Sequence, residues 1–188
     1  MIRAFIAIEL SEEVRAAIGE AQARLKRVPL SVKVTWVKPA NLHLTLQFLG
    51  HVDEGKLDPI KAALAAVAGA HPAQEVTVAG AGAFPDLERA RVLWVGCDDA
   101  DGRLKTLAEA VQRAMLPLGF EPERRGFSAH LTLGRVKFPR PDAALTKALD
   151  SLKDTFFGKM RVDALHLFES QLHPEGSVYS KLSSHALA

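Results

Sequence analysis

Cysteine is almost missing from this chain: Cys97 is the only one among 188 residues. A lone thiol cannot build a disulfide framework within the chain, so a reducing, intracellular compartment is the expectation. Long apolar runs are missing too. The opening MIRAFIAIELSEEVR is interrupted by Arg3 and Glu9, which fits no secretion signal. Nothing approaches the ~18 uninterrupted apolar residues of a membrane-spanning helix. Charge of one sign is scarce: 24 Lys and Arg stand against 22 Asp and Glu, a formal net of +2. So mild an excess excludes a protein that wraps nucleic acid by bulk charge, and it leaves anion binding to a local cluster. The spacings HExxH, CxxC and His-x-His do not occur either, and a catalytic zinc site needs about three protein ligands. These absences lead us to expect a cytoplasmic protein with no membrane association; a monomer with no obligate protein partner is the further expectation, and nothing in these absences fixes it.

What is present is repetition. The tetrapeptide His-Leu-Thr-Leu stands at 43–46 and again at 130–133. Its surroundings repeat with it. Residues 2–8 (IRAFIAI) and 91–97 (RVLWVGC) both read as strands, and a helix signal follows each. In the first, Ser11 can cap, Glu12 and Glu13 fill the first turn, and Val14, Ala17, Ile18, Ala21, Leu25 and Val28 share a face. In the second, Asp101 can cap, and Leu104, Leu107, Ala108, Val111, Met115 and Leu118 fall at the same intervals. Pro29 and Gly119 mark the exits. After each motif a further helix is predicted, with Leu57, Ile60, Leu64 and Val67 on one face and Leu145, Leu149 and Leu152 on the other copy's. Strands are predicted around 74–79, 160–168 and 177–182, with turn-prone stretches at 80–86 (GAGAFPD) and 138–142 (FPRPD). The fold class expected is α+β: two similar lobes, one per half of the sequence, related by a pseudo-twofold axis and packed into one bilobal unit over residues 1–188.

The doubled motif has the makings of a chemical site. Alternate side chains of a strand face opposite ways. His43 and Thr45 therefore share one face while Leu44 and Leu46 share the other, and the same holds for His130 and Thr132 against Leu131 and Leu133. Two such faces, confronted across a cleft, suit displacement at phosphorus, where attacking and leaving oxygens lie on opposite sides. Imidazole, with an ordinary pKa near ~6.5, can give or take a proton near neutral pH. Threonine hydroxyls can donate to non-bridging phosphate oxygens. Between 124 and 140 lie Arg124, Arg125, Arg135, Lys137 and Arg140 with no Asp or Glu among them, and the planar guanidinium suits phosphate. Strict alternation from His130 would turn Arg135 away from the cleft, so a bulge or twist near Gly134 is needed to bring it in.

With these residues in hand, the chain resembles the two-histidine phosphoesterase superfamily, and within it the bacterial and archaeal RNA 2′,3′-cyclic phosphodiesterases, also called 2′-5′ RNA ligases. The resemblance is carried by RAFIAIELSEEVR, WVKPANLHLTLQFLGHVDE, RVLWVGC, LGFEPERRGFSAHLTLGRV and ESQLHPEGSVYSKL. It implies two small, mainly antiparallel sheets with helices on their outer faces and the active-site cleft between them. It further implies hydrolysis of RNA ends or nucleotides carrying a 2′,3′-cyclic phosphate to 2′-phosphomonoesters, without metal or cofactor. Carried onto this sequence, His43 would protonate the departing 3′ oxygen, His130 would activate water, and Thr45, Thr132 and Arg135 would hold phosphate oxygens. One departure is Ala129, where relatives often carry proline before the second histidine.

Two rival readings stand beside this one: a metalloenzyme, and a non-catalytic module of the same fold that binds nucleotide or phosphate. Reversal of the chemistry, joining a cyclic end to a 5′-hydroxyl, is expected as a side activity. His51, His71, His166, His173 and His185 read as surface or loop residues, and Cys97 as core packing. Trp36 and Trp94 read as core or cleft-edge packing. Phe48, Phe127 and Tyr179 can stack on a base, but core packing explains each equally well.

Overall fold

A computed structural model describes residues 1–123, 126–174 and 176–188. The chain runs β1 (Ile2–Glu9), α1 (Glu12–Lys26), β2 (Val34–Trp36), β3 (His43–Val52), α2 (Leu57–Gly69), β4 (Gln74–Phe84), β5 (Val92–Asp98), α3 (Arg103–Met115), β6 (His130–Val136), α4 (Ala143–Asp150), β7 (Phe156–Val162), β8 (Ala164–His173) and β9 (Gly176–Ala186). The strands form one sheet in the order β7-β4-β5-β6-β3-β1-β8-β9, with β2 added beside β6, and every pairing is antiparallel. The sheet divides naturally at its centre. There β3 and β6 share a single registered pair, Leu44 with Leu131, whereas β1 and β3 pair over eight positions.

The two lobes are real, but they are not the two halves of the sequence. One lobe holds β3-β1-β8-β9 and the other β6-β5-β4-β7, so β4 of the first half pairs with β5, the first strand of the second, and β8 of the second half pairs with β1. The helices follow suit. α1 packs on β7 and α4 on β4, while α2 and α3 pack together and against β9, β8 and β3. Hydrophobic periodicity states which residues face a core but not whose core it is, and that is why the exchange stayed hidden.

Local chemistry explains most element boundaries. Ser11 accepts from the backbone N–H of Val14, acidic residues fill the first turn of α1, and Arg24 and Lys26 occupy its last turn, each favourable to the helix dipole. The second helix is capped differently from the expectation. Gly102, at φ +69°, turns the chain so that the Asp99 carboxylate accepts from the N–H groups of Leu104 (2.8 Å) and Lys105 (2.7 Å). Asp101 instead pairs with Arg103. The stretch 80–84 is strand rather than turn. Gly80 sits at a bulge, at φ +73°, and a Cβ on Gly82 would lie 2.5 Å from the Trp94 ring. Its glycines serve close approach. The apolar run at 160–168 likewise divides into β7 and β8 at Asp163.

The main core lies between the sheet and its four helices. Ile6, Ile8, Ile18, Leu44, Ile60, Leu64, Leu104, Leu107, Leu131 and Leu133 are fully enclosed in it. Cys97 packs there as well, and burial followed by the nearby Asp99 pushes its thiol up to about 12. A second, smaller cluster of Phe5, Ala7 and Phe168, with Tyr179 against it, sits on the opposite face of the sheet. Two polar groups tie the lobes' outer elements together. Buried Gln22 of α1 donates to the carbonyls of Val37 (2.7 Å) and Leu133 (2.9 Å). Asp142 caps α4 through Leu145 and also accepts from Ser31 N, Ser31 Oγ and Val32 N.

Burial alone would raise the Asp142 carboxyl, but the bonds from Leu145, Ser31 and Val32 outweigh it and hold the pKa below the ordinary 3.8. A depressed carboxyl adds stability above its unfolded pKa and loses it as pH falls through the folded value. We therefore expect Asp142→Ala to lower stability at pH 7 by about 1–2 kcal/mol, the size of a lost helix cap. The gap between variant and wild type should narrow in denaturant titrations below pH 4. A second expectation concerns Cys97: a thiol this suppressed stays unmodified by a thiol-reactive dye at pH 8 until denaturant is added.

Candidate active site

The pairing of Leu44 with Leu131 decides what faces the open side of the sheet. Both leucines are fully buried toward the helices, so the residues on either side of each must point the other way. His43, Thr45, His130 and Thr132 accordingly emerge together on the concave face. They line one cleft of about 800 Å³, which Arg135 also lines. In the antiparallel register His43 comes opposite Thr132, and Thr45 opposite His130. The cleft thus presents an imidazole and a hydroxyl from each lobe. Neither threonine hydroxyl is bonded to another described residue.

The two histidines are held alike. Nδ1 of His43 lies 2.7 Å from the carbonyl oxygen of Asn41, and Nδ1 of His130 lies 2.8 Å from that of Ser128. A carbonyl can only accept, so in both rings Nδ1 carries a hydrogen and Nε2 is left for the cleft. Each ring also packs on aromatic neighbours. His43 lies 4.7 Å from the Phe5 ring and 5.3 Å from Tyr179, which meets it edge-on. His130 meets Phe84 edge-on at 5.0 Å. Burial lowers the pKa of His43 below 6.5, the Asn41 carbonyl works against that, and the Arg15 guanidinium lowers it further. Arg15 itself is engaged by the carbonyls of Pro39 and Leu42.

Arg135 reaches the cleft by the required bulge. In the β5–β6 ladder Leu93 opposes Gly134 and Trp94 opposes Thr132, so Leu133 is an extra residue and the alternation reverses after it. Gly134 is needed at that point. A Cβ there would stand 2.9 Å from Val34 Cγ1 and 3.0 Å from the Thr35 carbonyl, closer than real packing tolerates. The same device follows the first motif, where Leu46 is the extra residue in the β1–β3 ladder. It swings Phe48, 52% exposed, to the position that matches Arg135.

The rest of the basic stretch disperses. Arg140 donates to the carbonyl of Ser31, and the Lys137 ammonium lies over the Phe138 ring. Arg124 and Arg125 lie outside the described residues. Tyr179, Phe127 and Phe48 all border the cleft. His166, read as a surface residue, is buried on β8 with Nε2 3.5 Å from the Glu9 carboxylate. Sequence reasoning missed Arg3, Phe5, Phe84 and Asn41 at the cleft. For Arg3 and Phe5 the alternation of β1 was a usable signal; for Asn41 there was none. Among the described residues no three His, Cys, Asp or Glu side chains converge in a way that could hold a metal ion, and no helix is long and apolar enough to cross a membrane.

The duplication is matched twice over by one family model, that of the LigT like phosphoesterases, at residues 8–94 and 95–179. The chain belongs to the LigT like phosphoesterase family. Among its relatives is an RNA 2′,3′-cyclic phosphodiesterase of Methanothermobacter thermautotrophicus, 35% identical over 96% of each chain. Another protein of that name, from Thermotoga maritima, is 36% identical over 96% of this chain and 93% of its own. Of solved structures, TT0787 of Thermus thermophilus superposes with a TM-score of 0.81 at 32% identity, covering 99% of this chain and 98% of that one. LigT of E. coli in complex with 3′-AMP gives 0.75 at 26% identity, covering 100% and 98%. The α+β fold, with its concave cleft and paired motifs, is that of the LigT like phosphoesterases.

Gly134→Ala tests the bulge. We expect it to lower stability by about 1–3 kcal/mol, the usual penalty of overpacking, and to weaken phosphate binding by displacing Arg135. Thermal melts and inorganic phosphate titration check this; a variant equal to wild type in both would show that the bulge does not place the guanidinium.

Proposed function

We propose that this protein hydrolyses RNA or nucleoside 2′,3′-cyclic phosphates to 2′-phosphomonoesters, with His43 as general acid and His130 as general base. One observation carries the reading. Two imidazoles, both anchored through Nδ1 and both with Nε2 free, enter one cleft from strands that meet at a single leucine pair. The names of the relatives, RNA 2′,3′-cyclic phosphodiesterases, agree with it. So does the nucleotide in the related E. coli structure.

The steps follow from the residues. His130, neutral, takes a proton from a water molecule through Nε2 as the water oxygen bonds to phosphorus. The bond from phosphorus to the 3′ oxygen breaks on the far side, and His43, protonated, supplies a proton through its own Nε2 to the departing oxygen. Charge building on the non-bridging oxygens is met by the hydroxyls of Thr45 and Thr132 and the guanidinium of Arg135. No metal is needed in this scheme, because the protonated imidazole activates the leaving group. Ligation is the same exchange with an RNA 5′-hydroxyl in place of water, and it stays minor where water is the more abundant nucleophile. Within this reading the protein acts as a cytoplasmic monomer.

Burial keeps His43 below 6.5 in the free protein, and an acid must be protonated to act. The reaction therefore weakens as pH rises through the lowered pKa of His43. A scheme that needs one imidazole protonated and one neutral gives a bell of kcat/KM against pH; a level profile from pH 5 to 9 removes the pair from the mechanism. His43→Ala and His130→Ala should each cost at least ~10²-fold. Phosphorus NMR of a cyclic-phosphate dinucleotide, with and without EDTA, identifies the product and tests for a metal. Binding without turnover would favour a recognition module of the same fold.

A further inference from the structure

Asn41 bonds in two directions at once. Its backbone carbonyl accepts from Nδ1 of His43 at 2.7 Å, while its side-chain amide donates to the carbonyl of Ser177 at 2.7 Å. Ser177 belongs to the far end of the β8–β9 hairpin. At that end β8 has lost its inner neighbour, because β1 pairs with β8 only from Ala4–Glu169 to Ala7–His166, and among the described residues Ser170–His173 pair with β9 alone. That end is also a wall of the cleft. Ser170, Leu172, Ser177 and Tyr179 line it, and Tyr179 sets its ring against His43.

We propose that Asn41 is a positioning residue that couples the β8–β9 hairpin to the orientation of the His43 imidazole. When the hairpin meets substrate through the side chains that line the cleft, its displacement is passed through the Ser177–Asn41 bond to the carbonyl that holds Nδ1. The second motif lacks such a link: Ser128 supplies the carbonyl for His130, but its side chain is bonded to no other described residue. The pseudo-twofold is thereby broken at the two histidines, with one tied through Asn41 to a wall of the cleft and the other held by the Ser128 carbonyl and the Phe84 ring. The catalytic importance of this link rests on the role given to His43 under the proposed function; the link itself does not.

Other charges reach His43 from several sides. Arg15 of α1, Glu9 of β1, and Tyr179 and Lys181 of β9 share the smaller pocket behind its ring, and His130, Arg135 and Glu123 share the main cleft with it. Asn41→Ser removes none of them, which makes it a clean probe. Serine is also the residue that the fold already carries at the matching place before His130. Its hydroxyl is too short to reach the hairpin.

The experiment is a titration of the histidine ring signals by ¹H–¹⁵N NMR in wild type and Asn41→Ser, without substrate, followed by steady-state kinetics on a 2′,3′-cyclic nucleotide. The Asn41 carbonyl bond favours the protonated ring of His43, so loosening it should lower the midpoint for His43 and leave that of His130 in place. The alkaline limb of kcat/KM should move with it, and kcat at neutral pH should fall between about 10- and 100-fold, the scale of a misplaced reacting group. Superimposable His43 titrations would overturn the coupling, and so would loss of the folded spectrum, which would make Asn41 merely structural. Should wild type fail to turn over the cyclic nucleotide, the proposed function falls while the titrations still decide the coupling.

Discussion

The contact between Leu44 and Leu131 is the constraint from which the site follows. Two strands that share one registered pair can diverge on either side of it, and divergence at the centre of a sheet makes a cleft. Because both leucines are sealed on the helix side, their neighbours have no choice of face. Removing either side chain would cost about 2–5 kcal/mol in a core of this kind, and the loss would fall where the lobes meet. The reacting groups are therefore oriented by apolar packing, and their hydrogen bonds only refine the result.

Around that contact the molecule keeps its symmetry in the backbone and discards it in the side chains. Both motif strands carry a bulge just after the threonine, yet one bulge delivers an aromatic ring and the other a guanidinium. Both histidines bond a carbonyl two residues earlier, yet one carbonyl belongs to Asn41, whose side chain bonds the β8–β9 hairpin, and the other to Ser128. A cyclic phosphate ester is itself lopsided, with a leaving oxygen and an incoming one. Two identical faces would be poorly matched to it.

Much of this was legible in the residues. The doubled His-Leu-Thr-Leu gave both the duplication and the cleft residues, since period-two alternation is enough to place imidazole beside hydroxyl. Even a bulge or twist near Gly134 could be demanded by placing Arg135 on the cleft, and the ladder there bulges at Leu133. What stayed hidden was of one kind: information about partners far away in sequence. The exchange of β4 and β8 between lobes leaves no trace in periodicity, because each strand is apolar on one face whichever sheet receives it. His166 read as a surface residue because its polar neighbour, the Glu9 carboxylate, lies on another strand. The glycines of 80–84 read as a turn because the Trp94 ring they admit is brought there only by the β4–β5 ladder.

The exchange of strands bears on how such a molecule can arise. A single copy of the repeat, standing alone, lacks the strand that flanks its first strand here and leaves the strand it lends here without that partner. It could satisfy both only by trading with a twin. Joining two copies in one polypeptide makes that reciprocal loan permanent and internal, and only then are the copies free to drift apart, one toward Phe48 and the other toward Arg135.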